Sequence, residues 1–182
     1  MKIRLTRAVV CELLTYDPGN GILRWKKRSS RWFMSKRICA SWNARFAGKL
    51  AFCRVDSNSG RLSGTMLGGT YYAHRIIWLY MVGKWPRPEI DHEDHNAGNN
   101  RWQNLRQVTH KENHKNKPRR VDNTSGVTGV VTTATGKFRA QIGVDGKIKY
   151  LGQFRTIEAA TSARKRAERQ NGFHHKHGEA AL

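Results

Sequence analysis

The chain has 182 residues, with 34 Lys and Arg against 13 Asp and Glu and a formal net charge of +21. That excess points to a polyanionic partner: nucleic acid, an anionic membrane surface or an acidic protein. The longest apolar run, Ile76 to Val82, is far too short to cross a bilayer, and MKIRLTRAVV lacks the apolar stretch and cleavage site of a secretory leader. Cys11, Cys39 and Cys53 are widely spaced and form no CxxC pair, which argues against a disulfide scaffold and a thiolate zinc site and fits a reducing cytoplasm. The bases are spread along the chain, with dense runs at Arg24–Arg28, Lys111–Arg120 and Arg164–Arg169. Six Trp, six Phe and five Tyr are enough for hydrophobic cores, so the pattern reads as folded nucleic-acid-binding modules and not as a charged tether.

In chain order, residues 6–15 predict a short helix capped by Thr6, with Val10, Leu13 and Leu14 on one face. Asn20-Gly21 predicts a hairpin turn, because both residues tolerate positive φ. Residues 48–72 carry short β-like runs, AFCRV and RLSGTML, and predict a small antiparallel sheet. AHRIIWLYMVGKWP (73–86) predicts a helix with Gly83 as its left-handed cap and Pro86 as its stop. Residues 118–128 are polar and rich in turn formers, and read as a linker. Beyond them come three short strands, with turns at Ala134–Gly136 and Asp145-Gly146. A helix over 156–171 follows, capped by Thr156, with Ile157, Ala160, Ala163 and Ala167 as a narrow apolar face.

The chemistry concentrates in EIDHEDHNAGNNRWQNLRQVTHKENHKNK, residues 89–117. A short strand ends in Asp91-His92, a polar loop follows, and Asn104-Leu105 opens a second strand. Thr109 and Glu112 form a T-x-x-E capping box that starts a helix at His110 and puts Asn113 in its first turn. Strand, strand, helix is a ββα unit in which Asp91 and Asn113 could meet one ion. The set DH, NL and EN at these spacings, preceded by the His-Arg helix and its Trp-Pro stop, resembles the HNH endonucleases of the phage and intron-encoded homing type. The resemblance covers roughly residues 1–117, most specifically 73–117. It implies that His92 is the general base, Asp91 and Asn113 are metal ligands, and Asn104 braces the loop and orients the base. Asn113 stands where the motif often ends in His. A carboxylate with an amide favours Mg²⁺ or Mn²⁺ over Zn²⁺. His74 and Arg75 are candidates for an active-site or phosphate role. Products with a 5′ phosphate and a 3′ hydroxyl are implied.

Plainer readings exist for each residue. Asp91-His92 is, taken singly, a loop pair, and Asn104 a turn residue. His110 and His114 are alternative ligands or phosphate contacts, and His95 is a solvated loop residue. The basic run Lys111, Lys115, Lys117, Arg119 and Arg120 is either a solvated face or a set of phosphate contacts beside the site. The joint spacing favours the nuclease.

The C-terminal features SGVTGV, KFRAQI, KIKYLGQF and T-x-E-A-A are similar to the plant ethylene-response-factor (ERF, Apetala-type) domain, over about residues 125–182. That resemblance implies a three-stranded sheet laid in the DNA major groove and backed by one helix. Strand alternation puts Arg139 and Gln141 on one face and Phe138 and Ala140 on the other. Arg139, Gln141, Lys147, Lys149 and Arg155 are the candidate DNA contacts. Phe138 stands where the family often has Trp.

The expected fold class is α+β: a ββα-metal (His-Me finger) nuclease unit plus a small three-stranded sheet with one helix. The expected divisions are 1–72, an N-terminal helix and small β region; 73–117, the nuclease unit; 118–125, a linker; and 126–182, the ERF-like domain. The expected function is site-selective, homing-like cleavage of double-stranded DNA, by nicking or double-strand breakage, with one divalent ion, Mg²⁺ or Mn²⁺. No membrane and no small-molecule cofactor are expected. The protein is a monomer or homodimer, located in the cytoplasm of a bacterial host if phage-encoded. The alternative is a catalytically inactive DNA-binding regulator that keeps the HNH scaffold.

Overall fold

A computed structural model describes residues 5–180. The first four residues of the segment read for a leader lie outside that range. The chain forms two compact units, one up to Val108 and one from Thr109. Both mix helices with small antiparallel sheets, an α+β composition.

The first unit begins with α1 (Arg7–Leu13), whose cap Thr6 accepts a hydrogen bond from Val9 N. β1 (Leu14–Asp17) and β2 (Ile22–Trp25) form the hairpin around Asn20-Gly21. α2 (Lys36–Phe46) follows, capped by Ser35. The sequence reading passed over this helix, although Ser35 before Ile38, Trp42 and Phe46 at four-residue spacing is a legible signal.

β3 (Leu50–Ala51) then joins β2, while β4 (Arg54–Val55), β5 (Leu62–Met66) and β6 (Gly69–Tyr72) form a sheet of their own. The single sheet expected over 48–72 is therefore divided. Phe52, with φ 56°, turns the chain between the two. α3 (Ala73–Val82) ends at Gly83, φ 82°, as expected from its cap. β7 (Glu89–His92) pairs antiparallel with β8 (Leu105–Val108), placing Asp91 opposite Arg106. Ile76, Ile77 and Leu79 of α3 are buried with Val10, Leu13, Leu14, Leu23, Ile90 and Leu105 in one core.

The second unit begins with the capping box. Thr109 Oγ1 accepts from Glu112 N, and Thr109 N donates to Glu112 Oε2 at 2.7 Å, opening α4 (His110–His114). β9 (Val130–Thr132), β10 (Phe138–Val144) and β11 (Lys147–Phe154) form a sheet in the order β11-β10-β9, and α5 (Ile157–Gln170) packs on it. Val130, Ala140 and Ala160 are the centre of this core. Gly129 has φ 75°, and a Cβ there would lie 2.5 Å from the Gln141 carbonyl oxygen, so only glycine fits.

The division does not fall in the expected linker at 118–125. Arg119 N donates to the Glu179 carbonyl and Gly178 N to the Lys117 carbonyl, which ties that stretch into the second unit. Among the described residues no helix is long and apolar enough to cross a membrane.

Candidate active site

Asp91 and His92 are the last residues of β7, and both are buried. Asp91 Oδ2 accepts from both Arg106 Nε at 3.0 Å and Nη2 at 2.7 Å, two charge-assisted bonds onto one oxygen set up by the direct cross-strand register. His92 Nε2 lies 3.2 Å from Asn100 Oδ1. With Asn100 accepting, Nε2 carries the proton and Nδ1 is the basic nitrogen. Burial pushes His92 below its ordinary value against the opposing pull of Asn100, and Arg61 adds to the depression. The imidazole is therefore neutral at pH 7 and able to take a proton.

The loop after β7 is a network of side-chain amides. Asn104 Nδ2 donates to Asp94 Oδ1 and to the Asn99 carbonyl, both at 2.8 Å, while Asn104 Oδ1 accepts from Asp94 N. Burial works to raise the Asp94 carboxyl, but hydrogen bonds from Asn99, Asn96 and Asn104 prevail and hold it below the usual range. Asn104 thus closes the loop onto β8 and touches the base only through that loop.

Asn100 is the residue in contact with His92, and the sequence reading did not single it out. Its backbone carbonyl accepts from the buried Tyr16 hydroxyl at 2.8 Å. Burial raises Tyr16 to about 12, so the hydroxyl stays a donor. The β1–β2 turn presses on the same loop. Trp102 N donates to the Pro18 carbonyl, and a Cβ at Gly21 (φ 77°) would sit 2.5 Å from Arg101 N. The N-terminal hairpin is therefore the buttress of the loop that holds His92.

His74 is buried on α3, with its ring 5.3 Å from that of His92 and edge-on to it, and stacked 5.6 Å from Tyr72. Burial, with the neighbouring His92, Arg61 and Arg75, pushes His74 down to about 3, so it is a neutral neighbour and not a cationic phosphate ligand. Its Nδ1 has no hydrogen-bond partner among the described residues. Arg75 lies over the Trp85 ring at 6.0 Å. Arg61, also absent from the sequence reading, lies over Tyr72 at 5.8 Å and is the cation felt by both histidines.

Asn113 is the fourth residue of α4, with its amide bonded to the Thr109 carbonyl. His110 and His114 ring centroids lie 4.4 Å apart on the same helix. Among the described residues no group of three or more His, Cys, Asp and Glu is placed to hold a metal.

The basic run largely spends its charge inside the second unit. Lys111 pairs with Asp145 at 2.5 Å, Lys115 Nζ donates to the Asn171 carbonyl at 2.6 Å, Arg119 Nη1 donates to the Gly126 carbonyl, and Arg120 pairs with Asp122. Lys117 is exposed.

On β10, Arg139 and Gln141 point away from the core that holds Ala140 and Ile142. Lys147 and Lys149, the other candidate contacts, do not share the face of Gln141. A register shift between Ala140 and Gln141 pairs Gln141 with Tyr150 and Ile142 with Lys149. The two lysines therefore fall on the opposite side of the sheet from Gln141, and exposed Tyr150 and Ile148 take the places beside it. Arg155 is exposed just after β11.

Residues 71–115 match the family model of the HNH endonucleases. The matched span is about a quarter of the chain and contains the whole of α3, β7, β8 and α4, and with them Asp91, His92, Asn104 and Asn113. No curated protein and no solved structure matches the chain. The HNH match supports a nuclease of that type, a hydrolase expected to bind DNA, in a family that generally uses a divalent metal.

Proposed function

We propose that the protein is a metal-dependent DNA endonuclease that hydrolyses backbone phosphodiesters, with His92 as the general base. The observation that carries the reading is the buried, neutral His92 next to Asp91 on β7, braced by Asn100 within the HNH span. His92 Nδ1 removes a proton from water as its oxygen attacks phosphorus. The P–O3′ bond breaks, the departing 3′ oxygen takes up a proton from solvent and His92 later returns its own to solvent, leaving a 5′ phosphate and a 3′ hydroxyl. Burial, helped by the nearby cation Arg61, keeps the imidazole from protonating before the attack.

The donor chemistry fits a hard ion. The Asp91 carboxylate, held in place by Arg106, would be the first unit's own contribution to holding the ion. A carboxylate oxygen would suit Mg²⁺ or Mn²⁺, which retain water and accept substrate oxygens, better than zinc. When bound, such an ion neutralises charge at the scissile phosphate.

Supercoiled plasmid incubated with the protein is expected to yield nicked or linear DNA with Mg²⁺ or Mn²⁺ and none in excess EDTA. Full activity in EDTA, or no cleavage with any divalent ion, would overturn the nuclease reading.

The second unit is proposed as an ERF-like docking module that selects the site and makes cleavage homing-like. Its outward β10 face, Arg139 and Gln141 with Tyr150 beside them, meets double-stranded DNA. Arg139→Ala/Gln141→Ala is expected to lower duplex affinity and flatten the differences between target sequences, since base contacts specify while phosphate contacts position. Binding isotherms on several duplexes read this, and unchanged preference in the double variant would exclude that face.

A further inference from the structure

Residues 18–55 contain no Asp or Glu and ten Lys and Arg. The nuclease reading uses only the hairpin turn at its start, and none of these ten cations. Four of its bases turn inward or along the surface. Lys26 Nζ donates to the Cys11 carbonyl, Arg24 Nη1 to the Gly48 carbonyl, and Arg31 pairs with Glu12. Arg28 is stacked between Trp25 and Trp42, at 4.7 and 3.9 Å from their centroids, and burial lowers it to about 10.

That stack is a scaffold for α2. Trp42 also meets Phe33 and Phe46, and Asn43 exchanges hydrogen bonds with the Arg28 backbone in both directions. The aromatic side of the helix is therefore fixed, and its other side is aimed at solvent. There Lys36, Arg37, Ala40, Ser41, Ala44 and Arg45 are all exposed. Long cations stand at both ends and small side chains between them, and none of the three cations forms an ion pair among the described residues.

We infer that the outer face of α2 is a docking surface for the phosphate backbone of duplex DNA, separate from the cutting residues and from the second unit. Charge complementarity selects the occupant. A helix held rigid from behind, with unpaired cations and no acid within the whole 38-residue stretch, suits a dense polyanion. The short side chains of Ala40, Ser41 and Ala44 let a backbone come close enough for Lys36, Arg37 and Arg45 to reach phosphates on either side. A basic membrane anchor would instead present a continuous face of large apolar side chains, whereas the centre of this face holds only the short side chains of Ala40, Ser41 and Ala44. The inference deepens the DNA-nuclease reading and rests on it for the choice of duplex DNA.

The test uses the full chain and the variant Lys36→Gln/Arg37→Gln/Arg45→Gln, beside a control with equal charge loss elsewhere, Lys84→Gln/Arg87→Gln/Arg169→Gln. Anisotropy of a labelled DNA duplex in EDTA gives affinity at several salt concentrations, circular dichroism checks folding, and plasmid nicking at saturating protein follows chemistry. The α2 variant is expected to stay folded, to bind at least tenfold more weakly, and to lose about two to three from the slope of log K against log salt, at about 0.9 per phosphate. Its nicking at saturation is expected to match the parent. An unchanged slope, or equal losses in the control, would overturn the α2 surface and leave the nuclease reading standing. A parent that never cuts, yet loses duplex binding only in the α2 variant, would do the reverse. An α2 effect confined to a duplex RNA of the same sequence would overturn the choice of DNA.

Discussion

His92→Ala is expected to reduce plasmid cleavage by about two to four orders of magnitude, the usual worth of a positioned general base, while leaving duplex affinity and folding nearly unchanged. The side chain is buried, so its loss opens a small polar hole and no unpaired charge. Its ring is already neutral in the folded protein, so its loss removes no buried charge. Asn100→Ala should fall between His92→Ala and the parent. It removes the hydrogen bond that fixes which imidazole nitrogen carries the proton. It keeps the main-chain carbonyl that Tyr16 holds, so the loop remains anchored. Single-turnover cleavage at saturating protein, with binding measured in EDTA, separates the two effects. Most of the parent rate surviving in a clean His92→Ala preparation would remove His92 from the chemistry.

Much of this geometry was legible because it is local. The Thr6, Thr109 and Thr156 caps, the Gly83 stop and the Asn20-Gly21 turn are each written within four or five residues, and helix ends follow from which backbone groups a nearby side chain can satisfy. The alternation that turns Arg139 and Gln141 away from Ala140 is equally local.

What escaped the sequence reading depends on contacts far apart in the chain. Asn100 is one of several amides in a loop of similar residues. Only the fold shows that it, and not Asn104, touches His92, because Tyr16 reaches it across 84 positions. Arg61 reaches the site through Tyr72 on a neighbouring strand. The displaced lysines show a third kind of loss. A one-residue register shift inside β10–β11 reverses which β11 side chains lie beside Gln141, and nothing in the run KIKYLGQF announces it. The divided sheet over 48–72 is similar, since Phe52 occupies a left-handed conformation that its residue type does not advertise.

Arg164→Ala is expected to destabilise the second unit by about 3–5 kcal/mol, the cost of leaving a buried charge without its partner. The sequence offered α5 as a narrow apolar stripe. Ala160 and Ala167 are indeed buried on it, but so are Arg164 and Glu168, with side chains only 5% and 6% exposed. Arg164 Nε donates to Glu168 Oε1 at 2.8 Å, Nη1 donates to the Gln141 carbonyl, and Nη2 lies 3.3 Å from His177 Nε2. One guanidinium thus satisfies a carboxylate on its own helix, a carbonyl on the central strand and the segment after α5. Truncating it strands Glu168 with only the half-exposed Lys165, 3.1 Å away, and leaves the Gln141 carbonyl without this donor. The carbonyl matters because Gln141 sits just past the register shift, where the guanidinium helps fix the outward β10 face. Replacing both charges by apolar side chains of similar length, Arg164→Met/Glu168→Leu, should recover most of the loss, because the desolvation cost of the pair disappears with it. Urea unfolding followed by circular dichroism reads both variants as shifts in midpoint at constant slope. A loss below about 1 kcal/mol in Arg164→Ala would mean that water reaches Glu168 and that the pair does not hold α5 to its sheet.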